Sequence, residues 1–153
     1  MALRFVVDDL THPAVIALLE FHILSAHAAS PACKVHALDL SGLRDPAVTF
    51  WSVWDGDALV GMGALKMLGD SRAEIKSMRV APEHLRRGTG AAILDHLLAE
   101  ARARRVTWIG LETGGNRAFA PARAMYERAG FVECAGFAGY EVDEFSRCYS
   151  LAP

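Results

Sequence analysis

The sequence has no long apolar run and no strong excess of charge of either sign. Its 153 residues include 16 basic and 18 acidic side chains, a formal charge of -2. Such a balance gives no general attraction for nucleic acid or for an anionic membrane surface, so we expect neither as a partner. No run reaches the roughly 18 apolar residues of a membrane-spanning helix, which excludes that class of protein.

The sequence also lacks the cysteine spacing of a zinc, redox or disulfide motif. It has an odd number of cysteines, for which we expect reduced thiols: Cys33, Cys134 and Cys148. No metal site is predicted from three of the histidines, His22, His27 and His36. The first residues show no basic stretch followed by a long apolar stretch, and we therefore expect a cytoplasmic protein without a signal peptide.

What is present indicates one folded domain spanning residues 1–153. Apolar residues make up 52% and charged residues 22% of the chain, as in globular proteins. Apolar periodicity predicts the order β-α-βββ-α-β-α-ββ, an α/β fold with a mixed sheet. Helices are predicted over 13–28, 90–105 and 118–128. Strands are predicted over 3–7, 48–54, 59–67, 73–80, 106–111, 131–134 and 145–151.

Local signals refine this outline. Thr11 is expected to cap the first helix, and Asp55-Gly56 favours a type I′ hairpin turn. Gly61 and Gly63 fall on one face of a strand, where they would let another element approach closely. The first helix is apolar almost all round and needs cover on both sides, which a homodimer could supply.

The segment Arg87-Gly88-Thr89-Gly90-Ala91-Ala92 lies between a strand and the strongest helix. Glycines allow the main-chain N–H groups to turn inward, and the first helical turn adds free N–H groups with partial positive charge. The first acidic side chain in this helix is Asp95, and Arg86 and Arg87 add local positive charge. The pattern indicates a pyrophosphate-binding loop, although two glycines also suit a simple tight turn.

The loop resembles the signature Arg/Gln-x-x-Gly-x-Gly/Ala of the GNAT superfamily of N-acetyltransferases. The preceding run, Glu-Ile-Lys-Ser-Met-Arg-Val-Ala-Pro-Glu at 74–83, looks like the strand that leads into that loop. Ala-Met-Tyr-Glu-Arg-Ala-Gly-Phe at 124–131 resembles the family's Leu-Tyr-x-x-x-Gly-Phe. The resemblance covers about residues 72 to 132. It implies a mixed, mostly antiparallel sheet flanked by helices, with a splayed central strand pair, and acetyl-CoA as cosubstrate.

The resemblance also implies which residues bind the cosubstrate. In this family the pantetheine arm lies between the two splayed strands and pairs with the main chain of one, a role that falls on Met78 and Val80. Many members have an asparagine seven residues before a helical tyrosine, and here that position is Phe119. The pyrophosphate would be held by the loop and its flanking cation: Arg86, Arg87, Gly88, Thr89, Gly90, Ala91 and Ala92.

Two residues match the family's catalytic groups. Tyr126 would donate a proton to the departing thiolate, since a phenol with a pKa near 10 suits a thiolate of similar basicity. Its alternative role is that of an ordinary buried aromatic. Glu74 matches a glutamate six residues before the strand's final valine, which serves some members as general base. It could equally be a surface charge at the start of a strand.

Acceptor specificity is expected from the first helix, from residues 30–45 and from the strand around Glu74. Lys76 or Arg79 could pair with a substrate carboxylate or could be solvated, and their opposite strand parity predicts that they cannot both face the pocket. Other candidate contacts, each of which could instead be a surface or packed residue, are His22, His27, His36, Ser30 and Lys34.

The predicted function is transfer of the acetyl group of acetyl-CoA to a primary amine of a small molecule, an amino acid or a peptide. The amine would attack directly in a ternary complex. The alternative is a non-catalytic acyl-CoA-binding regulatory module that has kept the loop and lost the chemistry. Retention of both Tyr126 and Glu74 counts against that alternative.

Overall fold

The computed structural model describes residues 2–29 and 40–153. Its strands are β1 Arg4–Val7, β2 Val48–Asp55, β3 Ala58–Gly69, β4 Arg72–Val80, β5 Trp108–Gly114, β6 Val132–Cys134 and β7 Ser146–Leu151. Its helices are α1 Pro13–Ala29, α2 Leu40–Leu43, α3 Thr89–Ala103 and α4 Ala120–Arg128. Short 3-10 turns, Pro82–His84 and Arg117–Phe119, precede α3 and α4. This order confirms the predicted order of the longer elements, and the short α2 lies within residues 30–45.

All seven strands form one sheet in the order β1-β2-β3-β4-β5-β7-β6. Every neighbouring pair is antiparallel except β4 and β5, which are parallel and are joined through α3. The parallel pairing is limited to Arg72 with Trp108, Ala73 with Ile109, and Glu74 with Gly110. Beyond these residues the two strands diverge, which confirms the predicted mixed sheet with a splayed central pair.

Two apolar clusters cover the two faces of the sheet. One contains Ile93, Leu94 and Leu97 of α3, and the other contains Val15, Leu18 and Leu19 of α1. Gly61 and Gly63 let α3 approach β3, as predicted. A Cβ built at Gly61 would lie 2.7 Å from the Ile93 Cδ1 atom, and one at Gly63 would lie 3.1 Å from Ile93 Cγ2.

Two predictions of local geometry are wrong. The Thr11 hydroxyl bonds Asp9, and the Nδ1 atom of His12 accepts the bond from the Ala14 N–H at the start of α1. Asp55 pairs with Ala58, so the two-residue hairpin loop is Gly56-Asp57. Of these two, only Gly56 has positive φ, whereas a type I′ turn needs positive φ at both positions.

A bulge in β4 overturns the parity argument for Lys76 and Arg79. Lys76 pairs with Ala64 and Arg79 pairs with Met62, so three steps along β4 match two steps along β3. Ser77 lies within the bulge with φ of +53°. One extra residue restores the alternation, and both cations therefore lie on the same face of the sheet, the face that α1 covers.

The second side of α1 receives no cover from the described part of the chain. Phe21 is 42% exposed and Leu24 is 68% exposed, while Val15 and Leu18 are buried. Cover by a second protomer therefore stays a prediction. No described helix combines the length and apolar character needed to cross a membrane.

Candidate active site

The divergence of β4 and β5 after Glu74 opens a gap in the middle of the sheet. At the end of β4 the Ala81 N–H donates to the Val60 carbonyl on the β3 side. Successive residues of a strand direct their main-chain groups to opposite neighbours. The N–H and carbonyl groups of Val80 and Met78 therefore face the gap, which is the arrangement that an extended ligand needs to pair with the strand.

The predicted phosphate loop lies at one end of this gap. Gly88 is the N-cap of α3 in the left-handed conformation, with φ of +79°, which favours glycine. The first turn of α3 contains no acidic side chain. Arg86, Arg87 and Gly88 are exposed. The helix end therefore presents unneutralised N–H groups and two nearby cations to solvent, as an anion site requires.

Two buried hydroxyls beside the gap have no hydrogen-bond partner in the described part of the chain. They are Ser77 Oγ on the β4 bulge and Thr89 Oγ1 at the first position of α3. Their residues are only 9% and 1% exposed. A buried polar group without a partner costs about 1–3 kcal/mol, so a polar ligand that bonded either hydroxyl would recover that cost. These features fit the amide and phosphate groups of acetyl-CoA.

Tyr126 of α4 is buried in the apolar cluster that α3 forms with the sheet. Its ring packs edge-on against Phe131, with 5.9 Å between ring centroids. Burial raises the pKa of Tyr126 to about 12; the charge of Arg79 on β4 lowers it and that of Glu112 on β5 raises it further. The phenol is therefore neutral at physiological pH and holds a proton beside both diverging strands. Tyr126 is thus a buried aromatic, and its role as proton donor stays a prediction.

Glu74 is 2% exposed, so its interpretation as a surface charge is wrong. Its Oε2 atom accepts hydrogen bonds from Lys76 Nζ at 3.0 Å and from the Tyr140 hydroxyl at 2.5 Å. Lys76 also donates to the Tyr140 oxygen. Burial and the neighbouring Glu74 charge raise the pKa of Tyr140, which keeps that phenol protonated as a donor. The other oxygen, Oε1, accepts no hydrogen bond from a described residue.

A histidine and an arginine pair on the face that α1 covers. Arg79 Nε donates to His22 Nδ1 at 3.0 Å, and the guanidinium lies 5.5 Å from the centre of the Phe21 ring. Burial, and then the positive charge of Arg79, lower the pKa of His22 to about 4. His22 is therefore neutral at physiological pH and acts as a hydrogen-bond acceptor.

Phe119 packs on the end of β5. A Cβ built at Gly114 would lie 1.9 Å from Phe119 Cδ2, so the ring rests directly on the glycine backbone. Arg123 Nη1 donates to the carbonyls of Gly114 and Asn116 at 2.7 and 2.8 Å. These contacts fix the end of β5 at the edge of the gap. A contact of Phe119 with the cosubstrate stays a prediction.

The structure gathers most of the predicted site residues around one gap. A Cβ built at Gly90 would lie 3.1 Å from the sulfur of Met125 and 3.5 Å from Val80 Cγ2, which ties the loop to α4 and to the end of β4. Ser30, Lys34 and His36, which were candidates for acceptor contacts, lie outside the described residues, as does the side chain of His27.

The pairings that complete this site have no signal in the local sequence. Tyr140 is 66 residues from Glu74 in sequence, and His22 is 57 residues from Arg79. No local pattern marks such pairs. Ser77 carried no signal either, because a bulge shows in the register of two strands and not in one strand's sequence.

Among the described residues, no group of three or more histidine, cysteine, aspartate or glutamate side chains could hold a metal ion. Cys134 and Cys148 are free thiols, in line with the prediction, and Cys33 lies outside the described residues.

Comparison with known proteins agrees with this geometry. The sequence model of the GNAT acetyltransferase family matches residues 15–131. The uncharacterized N-acetyltransferase YedL of Escherichia coli K12 is 49% identical over 144 residues, which is 94% of this chain and 91% of that protein. A crystal structure from Klebsiella pneumoniae, classed as an acyl-CoA N-acyltransferase, is 27% identical with a TM-score of 0.79, covering 98% of this chain and 97% of that one.

A crystal structure of a Bacillus subtilis acetyltransferase in complex with CoA shares the fold, with a TM-score of 0.75 and 17% identity, covering 99% of each chain. The family model and the relatives named N-acetyltransferase show an acyl-CoA-dependent acetyltransferase. The chain belongs to the GNAT acetyltransferase family.

The neutral state of His22 generates a prediction about stability and pH. Its folded pKa of about 4 lies below the ordinary value of 6.5, so the unfolded chain takes up this proton first as pH falls. Stability is therefore lost between about pH 6.5 and 4.

His22→Asn keeps an acceptor for Arg79 but does not titrate. Between pH 7 and 4.5, the wild type should lose on the order of 2 kcal/mol more free energy of unfolding than the variant, as measured by urea denaturation. Equal losses would contradict a neutral, buried His22.

Proposed function

We propose that this acetyltransferase moves the acetyl group of acetyl-CoA to a primary amine of a small molecule, an amino acid or a peptide. The amine attacks directly in a ternary complex. The observation that carries the proposal is the gap between β4 and β5, with a buried carboxylate, Glu74, where the strands part, and a buried phenol, Tyr126, that charges on both strands influence. Such a gap can hold a thioester between a proton donor and a proton acceptor.

Binding of acetyl-CoA is assigned to main-chain groups. Acetyl-CoA supplies the activated acyl group as a thioester. Met78 and Val80 would pair with its pantetheine arm through their N–H and carbonyl groups, and Phe119 would line the same gap at the end of β5. The pyrophosphate would be held at the start of α3 by Arg86, Arg87, Gly88, Thr89, Gly90, Ala91 and Ala92. The exposed helix end and the absence of an acid in its first turn support this assignment.

Tyr126 is proposed as the general acid. Its raised pKa, about 12, means that the phenol keeps its proton at every pH where the enzyme would be assayed. The proton is then available to the sulfur as the thiolate departs. The charge of Arg79 favours the phenolate and so assists this transfer.

Glu74 is proposed as the general base. An amine with a pKa of about 10.4 is only ~0.1% neutral at pH 7, which costs roughly 4–5 kcal/mol. A carboxylate acting through a water can take that proton as the amine attacks. Lys76 and Tyr140 hold Oε2, while Oε1 accepts no bond from a described residue. Oε1 is therefore the oxygen of Glu74 that is proposed to accept the proton of the amine.

The second candidate is a regulatory module that binds acyl-CoA without chemistry. It would be stabilised by CoA and would release no CoA with any amine. Burying an ionisable pair such as Glu74 and Lys76 costs stability, which favours a catalytic reason for keeping it.

We further propose a cytoplasmic location. The exposed Phe21 and Leu24 of α1 support a homodimer, and the charge balance argues against nucleic acid as a partner.

The test of this function is CoA release from acetyl-CoA with a panel of amines, comparing the wild type with Tyr126→Phe. The variant should lower kcat by roughly 100-fold, the size of a lost general acid, and should change the Kd for CoA by less than about 2-fold. Tyr149→Phe is the matched control, since Tyr149 is also buried but lies on β7 beside Glu127 and Glu133. Wild-type turnover by Tyr126→Phe would show that Tyr126 is not the acid. An absence of CoA release with every amine would favour the regulatory module.

A charge placed in the first turn of α3 tests the anion site. Ala91→Glu should raise the free energy of unfolding by about 0.3–1 kcal/mol, because an acid there favours the helix dipole. The same change should weaken CoA binding by roughly 10-fold, because the carboxylate repels a pyrophosphate held by these amides. Ala99→Glu is the control, as it is exposed on the same helix about two turns further along. Chemical denaturation and calorimetric titration with CoA measure the two effects, and unchanged CoA affinity in Ala91→Glu would contradict the assignment.

A further inference from the structure

Arg79 is a half-buried cation without an acidic partner in the described part of the chain. Its contacts are the His22 ring nitrogen, the Phe21 ring and the electrostatic interaction with Tyr126. Among the described residues, no carboxylate forms an ion pair with Arg79. Burial lowers the pKa of this guanidinium, because removing the positive charge from water is unfavourable.

Lys76 lies on the same face of the sheet as Arg79 but has an acidic partner. Its ammonium is neutralised by Glu74 at 3.0 Å and is also bonded to Tyr140. Of these two neighbouring cations, Lys76 has an acidic partner, and Arg79 has none within residues 2–29 and 40–153. A partly buried cation is costly unless something pairs with it, and a ligand can supply that group.

The guanidinium fork of Arg79, which is formed by the N–H groups on Nη1 and Nη2, is not used by any described residue. A guanidinium has five N–H donors, and the Nε donor is used by His22. The four N–H groups on Nη1 and Nη2 have no acceptor among the described residues. His22 fixes the guanidinium from one side and the Phe21 ring lies 5.5 Å away. A planar fork that is held in this way matches the two oxygens of a carboxylate.

The position of Arg79 separates this fork from the pyrophosphate site. Arg79 meets α1, whereas α3 packs on the opposite face of the sheet against Gly61 and Gly63. The charge of Arg79 lowers the pKa of Tyr126, so the guanidinium is near enough to the phenol to influence it electrostatically. An anion bound here would belong to the acceptor and not to the phosphates of CoA.

We propose that the acetyl acceptor carries a carboxylate as well as its amine, and that Arg79 binds this carboxylate. The substrate class is thus that of amino acids and other amino carboxylates. This inference rests on the proposed function, because it assigns the carboxylate to the molecule that receives the acetyl group.

The test measures binding to the CoA-saturated protein with matched probes. The probes are the N-acetyl derivatives of the twenty amino acids and the corresponding N-acetyl amino acid amides, which lack the carboxylate. For the derivatives that bind, the wild type should prefer the acid over its amide by at least about 10-fold in Kd. Arg79→Gln should reduce this ratio to less than about 2-fold, and Arg79→Lys should give an intermediate ratio because it keeps the charge and loses the fork.

Arg72→Gln is the matched control, since it removes a cation from the other end of the same strand, where Arg72 lies 4.1 Å from the centre of the Trp108 ring. It should leave the acid-to-amide ratio unchanged. Thermal unfolding of each variant establishes that it is folded, and Arg79→Lys tests the proposal if Arg79→Gln is not. A wild type that binds acids and amides equally would overturn the proposal, and so would a ratio that persists in Arg79→Gln.

CoA release with the free amino acids and their amides separates this inference from the proposed function. Release with both sets at equal kcat/KM supports acetyl transfer and overturns the carboxylate site. A binding preference that depends on Arg79, without CoA release from any amine, supports the carboxylate site and overturns the transfer. Release that favours the acids in the wild type, but not in Arg79→Gln, supports both.

Discussion

The site depends on one break in hydrogen bonding, the separation of β4 from β5 after three paired positions. Main-chain groups inside a sheet almost always have partners, because an unpaired buried N–H or carbonyl is costly. Here the groups of Met78 and Val80 face a gap, and the hydroxyls of Ser77 and Thr89 beside it have no described partner. The fold thus maintains an incomplete strand pair whose natural completion is an extended, polar ligand.

The bulge at Ser77 determines what lies on the acceptor side of this gap. Because it adds one residue to β4, Glu74, Lys76 and Arg79 all lie on the face toward α1. The three charged groups have different partners. Glu74 and Lys76 neutralise each other and both bond Tyr140, while the contacts of Arg79 with described residues are a neutral histidine and an aromatic ring. The first group suits proton transfer, and the second suits recognition of an anion.

The sequence predicts well the features that depend on neighbouring residues. Apolar periodicity predicted α3, and the glycines within residues 87–92 predicted its exposed positive end. The motif around Tyr126 predicted a buried aromatic or a proton donor on the last helix. Contacts between distant segments were not predictable, such as Tyr140 with Glu74 or His22 with Arg79. The parity argument for Lys76 and Arg79 failed because strand alternation counts residues, and only the register with β3 reveals the added one.

The central claim is that the gap between β4 and β5, together with the first turn of α3, binds acyl-CoA. A crystal structure of the protein grown with CoA tests it most directly. The account predicts the pantetheine arm between the two strands, bonded to the main chain of Met78 and Val80, with the pyrophosphate on the amides of residues 88–92. CoA bound elsewhere, or a gap without ligand at saturating CoA, would contradict it.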